Sequence, residues 1–211
     1  MTTTQKSKTP AIVFDLGGVL IDWNPRYLFR KLFDGDEERV EWFLAEVCPQ
    51  SWNAQMDGGY PFQQAIEERC QLYPELSDEL HAYWERWDET IGGPMPETVE
   101  ILAELRAAGY PLYVLSNWSA QSFARVRAQF PFLDWFDELV ISGQIGLTKP
   151  NKEIFEYLLS KVGLPAEDCL FIDDIATNTE AAKKLGFQTV LFTSPEELLI
   201  FFQIKELLKV K

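Results

Sequence analysis

With 211 residues, 46% of them hydrophobic and including 15 Phe and 7 Trp, the chain can bury a full core, which excludes the disordered class. Its 33 Asp and Glu against 19 Lys and Arg leave a formal charge of −14. Such a field repels phosphate backbones and anionic lipid, so neither nucleic acid nor membrane is an expected partner; a small anionic substrate would need a metal cation or a local Lys or Arg to receive it. The single histidine, His81, excludes multi-histidine metal centres and most histidine-based triads. Cys48, Cys70 and Cys169 have no CxxC spacing and read as reduced thiols of an intracellular protein. No apolar leader and no run of the ~18–20 apolar residues needed for a membrane span is present, so a soluble, cytoplasmic protein is expected.

In chain order, a polar stretch through Thr9 gives way to Ala11-Ile12-Val13-Phe14, too short for a helix and apolar throughout, as a buried parallel strand would be. The segment 22–90 then shows four helical patterns, near 25–33, 37–47, 61–72 and 77–89, and no convincing strand. Pro49, Asp57-Gly58-Gly59 and Pro74 punctuate it. Its tryptophans, Trp23, Trp52, Trp84 and Trp87, are expected in the core of this helical block, and Asp22 is expected to cap its first helix. After 90 the pattern becomes regular. Strand-like runs at 110–116, 138–142, 169–173 and 188–192 alternate with amphipathic helices at 96–108, 153–162 and 177–185, which end at Gly109, Gly163 and Gly186. A capped helix over 195–208 closes the chain; its bulky run Leu198 to Phe202 would dock on the core or form a dimer interface. The alternation specifies an α/β parallel sheet, with a core at 10–21 and 91–211 and a helical insertion at 22–90. Both a monomer and a homodimer are compatible with it.

In parallel sheets the chemistry gathers just past the carboxyl ends of the strands. Those positions hold Asp15, Ser116-Asn117 and Asp173-Asp174, and Lys149 precedes a helix in Leu147-Thr148-Lys149-Pro150. Asp15 followed by Gly17-Gly18 is by itself also an ordinary turn. Polar residues at several strand ends are harder to explain as turns. Three carboxylates crowded at one sheet edge repel and shift upward in pKa unless a cation sits between them, and one lysine does not balance three. A hard, oxygen-ligated Mg²⁺ does.

The strings FDLGGVLID (14–22), VLSN (114–117), LTKP (147–150) and FIDD (171–174), in this order, resemble the four motifs of the haloacid dehalogenase superfamily, a Rossmann-like group consisting mostly of Mg-dependent phosphatases. The strings 22–26 and 115–119 are similar to its small sugar-phosphate phosphatases, and the helical block resembles that family's small C1 cap. The resemblance implies that Asp15 is a nucleophile, that Ser116 and Asn117 hold the transferring group, and that Lys149 neutralises charge. It also implies Mg²⁺ on Asp15, the Gly17 carbonyl and Asp174, with Asp173 binding directly or through water.

One position departs from the pattern. Most phosphatases of this family carry a second aspartate two residues after the nucleophile, which protonates the leaving group; here Gly17 stands there. General acid–base help is typically worth ~10²–10⁴-fold. A phosphatase acting on substrates that leave easily is therefore expected, and the paired Asp173-Asp174 favour it, since they make sense only with a cation. The alternative is a metal-independent 2-haloacid dehalogenase in which Asp15 attacks carbon. For that activity Arg26 and Arg30 would grip a carboxylate and Trp23 and Trp118 would line a halide pocket. Arg26, Trp23 and Trp118 are the expected substrate contacts.

Overall fold

The computed structural model describes residues 10–209; the polar stretch through Thr9 lies outside them. The chain enters as β1 (Ala11–Phe14) and β2 (Ile21–Trp23), then runs through α1 (Arg26–Leu32), α2 (Glu37–Trp42), α3 (Gln50–Asp57), α4 (Phe62–Leu72) and α5 (Ser77–Glu85). It returns through β3 (Ile91–Pro94) and α6 (Pro96–Ala107) to β4 (Leu112–Ser116), α7 (Ala120–Val126), β5 (Glu138–Ile141), α8 (Ser142–Ile145) and α9 (Lys152–Val162). The last elements are β6 (Cys169–Asp173), α10 (Ala176–Lys184), β7 (Gln188–Leu191) and α11 (Pro195–Ile204).

Five strands make one parallel sheet in the order β5-β4-β1-β6-β7. Burial on both faces explains why β1 is apolar throughout. Ile12 and Phe14 join the core layer continuous with the helical block, while Ala11 and Val13 join the layer holding Phe155, Leu158, Phe171 and Phe187. Val13 lies level with Tyr113 of β4 on one side and Phe171 of β6 on the other. The connection leaving β1 runs to β4 on one side and the connection leaving β6 runs to β7 on the other, so a crevice opens between them beyond their carboxyl ends. The expected α/β class and the five strand positions are all present.

The segment between β2 and β3 differs from its sequence pattern in two respects. A fifth helix, α3, occupies 50–57, where Pro49 and Gly58-Gly59 suggested only breaks; it buries just Trp52 and Met56, one turn apart. The block is also framed by strands after all, because β2 and β3 pair antiparallel with Asp22 level with Gly93. Strands of three and four residues, one of them Ile-Gly-Gly-Pro, carry too little alternation to be legible. Asp22 does not cap α1: its carboxylate accepts the Tyr27 hydroxyl at 2.7 Å, whereas Asn24 Oδ1 accepts the Arg26 N–H. A Cβ on Gly92 would stand 2.1 Å from Asp22 Oδ2, so that close approach needs a glycine.

Within the block, Phe29, Phe43, Phe62 and Tyr83 form a continuous aromatic core, with the Phe29 ring centroid 4.6 Å from Phe43 and 5.4 Å from Tyr83. On α11, Leu198 and Phe202 are buried in the main core, but Ile200 and Ile204 face outward. His81 is exposed. No helix among the described residues is long and apolar enough to cross a membrane.

Candidate active site

A cleft of about 350 Å³ lies at the carboxyl end of β1, between the sheet edge and the helical block. Its sheet-side wall carries Asp15, Gly17, Gly18, Asn117, Asp174 and Asn178; the facing wall carries Trp23, Asn53, Asp57, Phe62 and Trp87.

On the sheet side the charges interlock. The Lys149 ammonium is fully enclosed and donates to Asp15 Oδ2 at 2.9 Å, to Asp173 Oδ2 at 2.7 Å and to the Leu115 carbonyl at 2.8 Å. Burial alone would pull its pKa down, but Asp15 and Asp173 outweigh that and hold it above the ordinary lysine range. Asp15 Oδ1 accepts the Leu16 N–H at 2.7 Å, so both oxygens of this carboxylate have fixed directions. Burial pushes the Asp15 carboxyl well above its usual range; Lys149 opposes the shift, and Asp173 adds to it. Ser116, buried at the end of β4, hydrogen-bonds Asp15 and favours its charged form.

Asp173 is fully buried and saturated: besides Lys149, it accepts the Ile175 N–H at 2.8 Å and the Asn178 amide at 3.1 Å. It anchors the lysine from behind rather than facing the cleft. Asp174 stands at the open rim, and burial and then Asp173 raise its pKa. Carboxylate oxygens of Asp15, Asp173 and Asp174 lie within 4.8 Å of one another. Gly18 makes this possible. Its φ is +74°, a conformation that disfavours other residues, and a Cβ there would fall 2.4 Å from Asp174 Oδ2. The first motif points to the Gly17 carbonyl as a ligand, and it is the missing side chain of Gly18 that lets Asp174 approach.

The expected substrate residues divide. Asn117 lines the cleft, but both ends of its amide clamp the Lys149 backbone, with Nδ2 donating to the carbonyl at 2.9 Å and Oδ1 accepting the N–H at 2.8 Å. Its side-chain amide thus fixes the backbone that carries the lysine. Trp23 and Trp118 line the cleft, and the indole N–H of each is buried without an acceptor among the described residues. Arg26 stands apart, making a bidentate pair with Glu41 at 2.5 and 2.7 Å; Arg30 pairs with Glu37 in the same way, at 2.7 and 3.1 Å. A basic residue near the first motif looked available to substrate, but α2 supplies the carboxylates that take both guanidiniums.

Gln50, Asn53, Asp57, Phe62 and Trp87 also line the cleft and were not expected there. Asp57-Gly58-Gly59 read as punctuation, although it repeats the carboxylate-before-glycines pattern seen at Asp15.

The family model of haloacid dehalogenase-like hydrolases matches residues 9–186. The chain belongs to that family. It is 25% identical over 182 residues to a sesquiterpene phosphatase of Aspergillus oryzae, covering 83% of this chain and 86% of the relative. It is 27% identical over 187 residues to an (S)-2-haloacid dehalogenase of Pseudomonas fluorescens, covering 83% of this chain and 80% of that one. In fold it matches a HAD family enzyme of Bacteroides thetaiotaomicron solved as a magnesium complex, with a TM-score of 0.73 at 23% identity over 93% of this chain and 100% of the other. This hydrolase thus has phosphatases and dehalogenases among its relatives.

Proposed function

We propose that the chain is a Mg-dependent phosphatase of a small phosphorylated metabolite, with a sugar phosphate as the favoured class, and that the block 22–90 is a cap over the core 10–21 and 91–211. The observation that carries this reading is the cluster of Asp15, Asp173 and Asp174, with oxygens within 4.8 Å of one another and one lysine among them. Displacing a halide from carbon needs a carboxylate nucleophile but no metal ion. An Asp174 brought against Gly18 beside two other carboxylates has a use when a cation is bound. The donor set is all oxygen, which suits Mg²⁺. Asp15, Asp174 and the Gly17 carbonyl would hold it, with Asp173 behind them. Bound there, the ion supplies positive charge that stabilises ionised carboxylates and a phosphoryl group. The fold neighbour from Bacteroides thetaiotaomicron was also solved with magnesium and inorganic phosphate.

The chain's own residues account for the remaining steps. An Asp15 oxygen attacks phosphorus, the leaving oxygen departs with the bonding pair, and water then hydrolyses the aspartyl-phosphate. Lys149, fixed by Asp173 and by the Asn117 clamp on its backbone, neutralises charge on Asp15. The indole N–H groups of Trp23 and Trp118 find no acceptor among the described residues, and movement of the cap would have to uncover them for a substrate to accept from them. Closure of the cap would exclude water and select the metabolite.

Those same indoles also support a second reading, metal-independent 2-haloacid dehalogenation, because a leaving halide accepts hydrogen bonds. One assay separates the two: p-nitrophenyl phosphate hydrolysis with and without Mg²⁺, beside halide release from 2-haloacids. Mg-dependent phosphate release is expected. Halide release without metal, and no phosphate release, would overturn the phosphatase.

A further inference from the structure

Besides Asp15 and Asp174, the cleft holds one more carboxyl, Asp57, at the end of α3 in the helical wall. Three separate parts of the fold fix it. Oδ1 accepts the Ser119 N–H from the loop after β4 at 3.0 Å. Oδ2 accepts from Asn53 Nδ2 at 3.3 Å, and Asn53 Oδ1 in turn accepts the Tyr83 hydroxyl of α5 at 2.9 Å. The Asp57 carbonyl accepts the Ser142 hydroxyl of α8 at 2.6 Å.

Two charged or titratable groups face it electrostatically. Lys149 is already engaged by Asp15 and Asp173, and Tyr83 has its own pKa raised, chiefly by burial. Burial pushes the Asp57 carboxyl up to about 7, against the opposing pull of the Ser119 N–H and Lys149. A group in that range holds its proton at neutral pH often enough to give it away and take it back. Gly17, where an acid would be expected, has no carboxyl, and a Cβ there would meet nothing within 4 Å. The sheet wall therefore has no carboxyl at position 17, and a fixed carboxyl stands on the wall opposite.

We infer that Asp57 is the general acid and base of this site, delivered from the helical block in place of the missing aspartate at position 17. The inference rests on the phosphatase reading above. As the Asp15 oxygen–phosphorus bond forms and the ester P–O bond breaks, the leaving oxygen keeps the bonding pair and takes the Asp57 proton. In the second step water attacks phosphorus, its proton returns to Asp57, and Asp15 is released. Asp57 also joins α3 to the loops after β4 and β5, so a purely structural latch is the competing account, and leaving-group dependence separates the two. A latch affects every substrate alike; an acid matters in proportion to the leaving group's need for a proton.

The experiment compares kcat/KM for an alkyl phosphate, glycerol 2-phosphate, with that for p-nitrophenyl phosphate, whose leaving group departs unprotonated. Asp57→Asn, which keeps an acceptor for the Ser119 N–H, is expected to lower the alkyl value about 10²–10³-fold and the nitrophenyl value at least about tenfold less. Adding Gly17→Asp to that variant, in the open space at position 17, is expected to restore the alkyl value at least about tenfold. In the unmutated protein the alkyl kcat/KM should fall as pH rises through about 7 and Asp57 loses its proton, with no matching fall for the nitrophenyl ester. That profile tests the assignment even if the variant does not fold. Equal losses on both substrates, or an unchanged alkyl value, would overturn it. No phosphate release from either ester by the unmutated protein would instead defeat the phosphatase reading, and the acid with it.

Discussion

The two walls of the cleft are built by opposite means. On the sheet side, charges neutralise one another at close range: Lys149 is enclosed, Asp173 is saturated, and Asp15 has both oxygens engaged. On the helical side the surface is mostly aromatic, with Trp23, Phe62 and Trp87, and its carboxyl is held by amides rather than by a cation. On the proposed reading, the sheet wall would carry what every substrate shares, a nucleophile and compensated charge, and the helical wall what differs between substrates, shape and the handling of the leaving group.

If the sheet wall is a charge-balanced unit, removing its cation should do the most damage. Lys149→Met leaves Asp15 and Asp173 buried without their partner, and breaking a buried ion pair from one side typically destabilises by ~3–5 kcal/mol. Urea unfolding is the measurement, with turnover followed in parallel. A loss under about 1 kcal/mol would mean that the three carboxylates do not depend on the lysine for their compact arrangement.

A smaller effect sharpens the metal side of the contrast. Gly18→Ala places a Cβ at 2.4 Å from Asp174 Oδ2 on a backbone with φ of +74°. Strain at such a position costs on the order of 1–2 kcal/mol, and displacement of Asp174 should weaken Mg²⁺ binding as well. A ligand at a hundred times its dissociation constant stabilises by ~2.7 kcal/mol. The Mg²⁺-induced rise in melting temperature should therefore shrink in the variant relative to the unmutated protein. An undiminished rise would remove Asp174 from the metal site.

The same contrast decides what was legible in the sequence. Asp15, Ser116 and Asp173 sit at or just after strands whose apolar runs are unmistakable, and a parallel ladder brings such ends together whatever the details of packing. Lys149 was legible from its fixed neighbourhood, but the roles of its neighbours were not. That Asn117 clamps a backbone, and that Asp173 turns inward, depends on side-chain directions that no periodicity encodes. The helical wall was least legible. Its face toward the cleft depends on the packing of five short helices, one of them, α3, only eight residues long and burying just Trp52 and Met56 between Pro49 and Gly58. In the sequence Asp57 reads as a turn signal. Its meaning came only when α3 set it against Ser119, far away in the chain.

Arg26 tests the boundary between the walls with the smallest expected effect. It lies three residues after Trp23, which does line the cleft, and a 2-haloacid or a phosphate would suit its guanidinium. In the structure that guanidinium is taken up by Glu41 in a partly exposed bidentate pair, with side-chain exposures of 37% and 53%. Exposed pairs contribute about 0–1 kcal/mol, so Arg26→Ala should leave stability within that margin. Its kcat/KM for p-nitrophenyl phosphate should stay within about twofold, since removing no contact to substrate removes no transition-state binding. A rise in KM of tenfold or more, with kcat unchanged, would show that Arg26 leaves Glu41 to meet the substrate. The anion would then be received from both walls, and the division of labour between them would be wrong at that point.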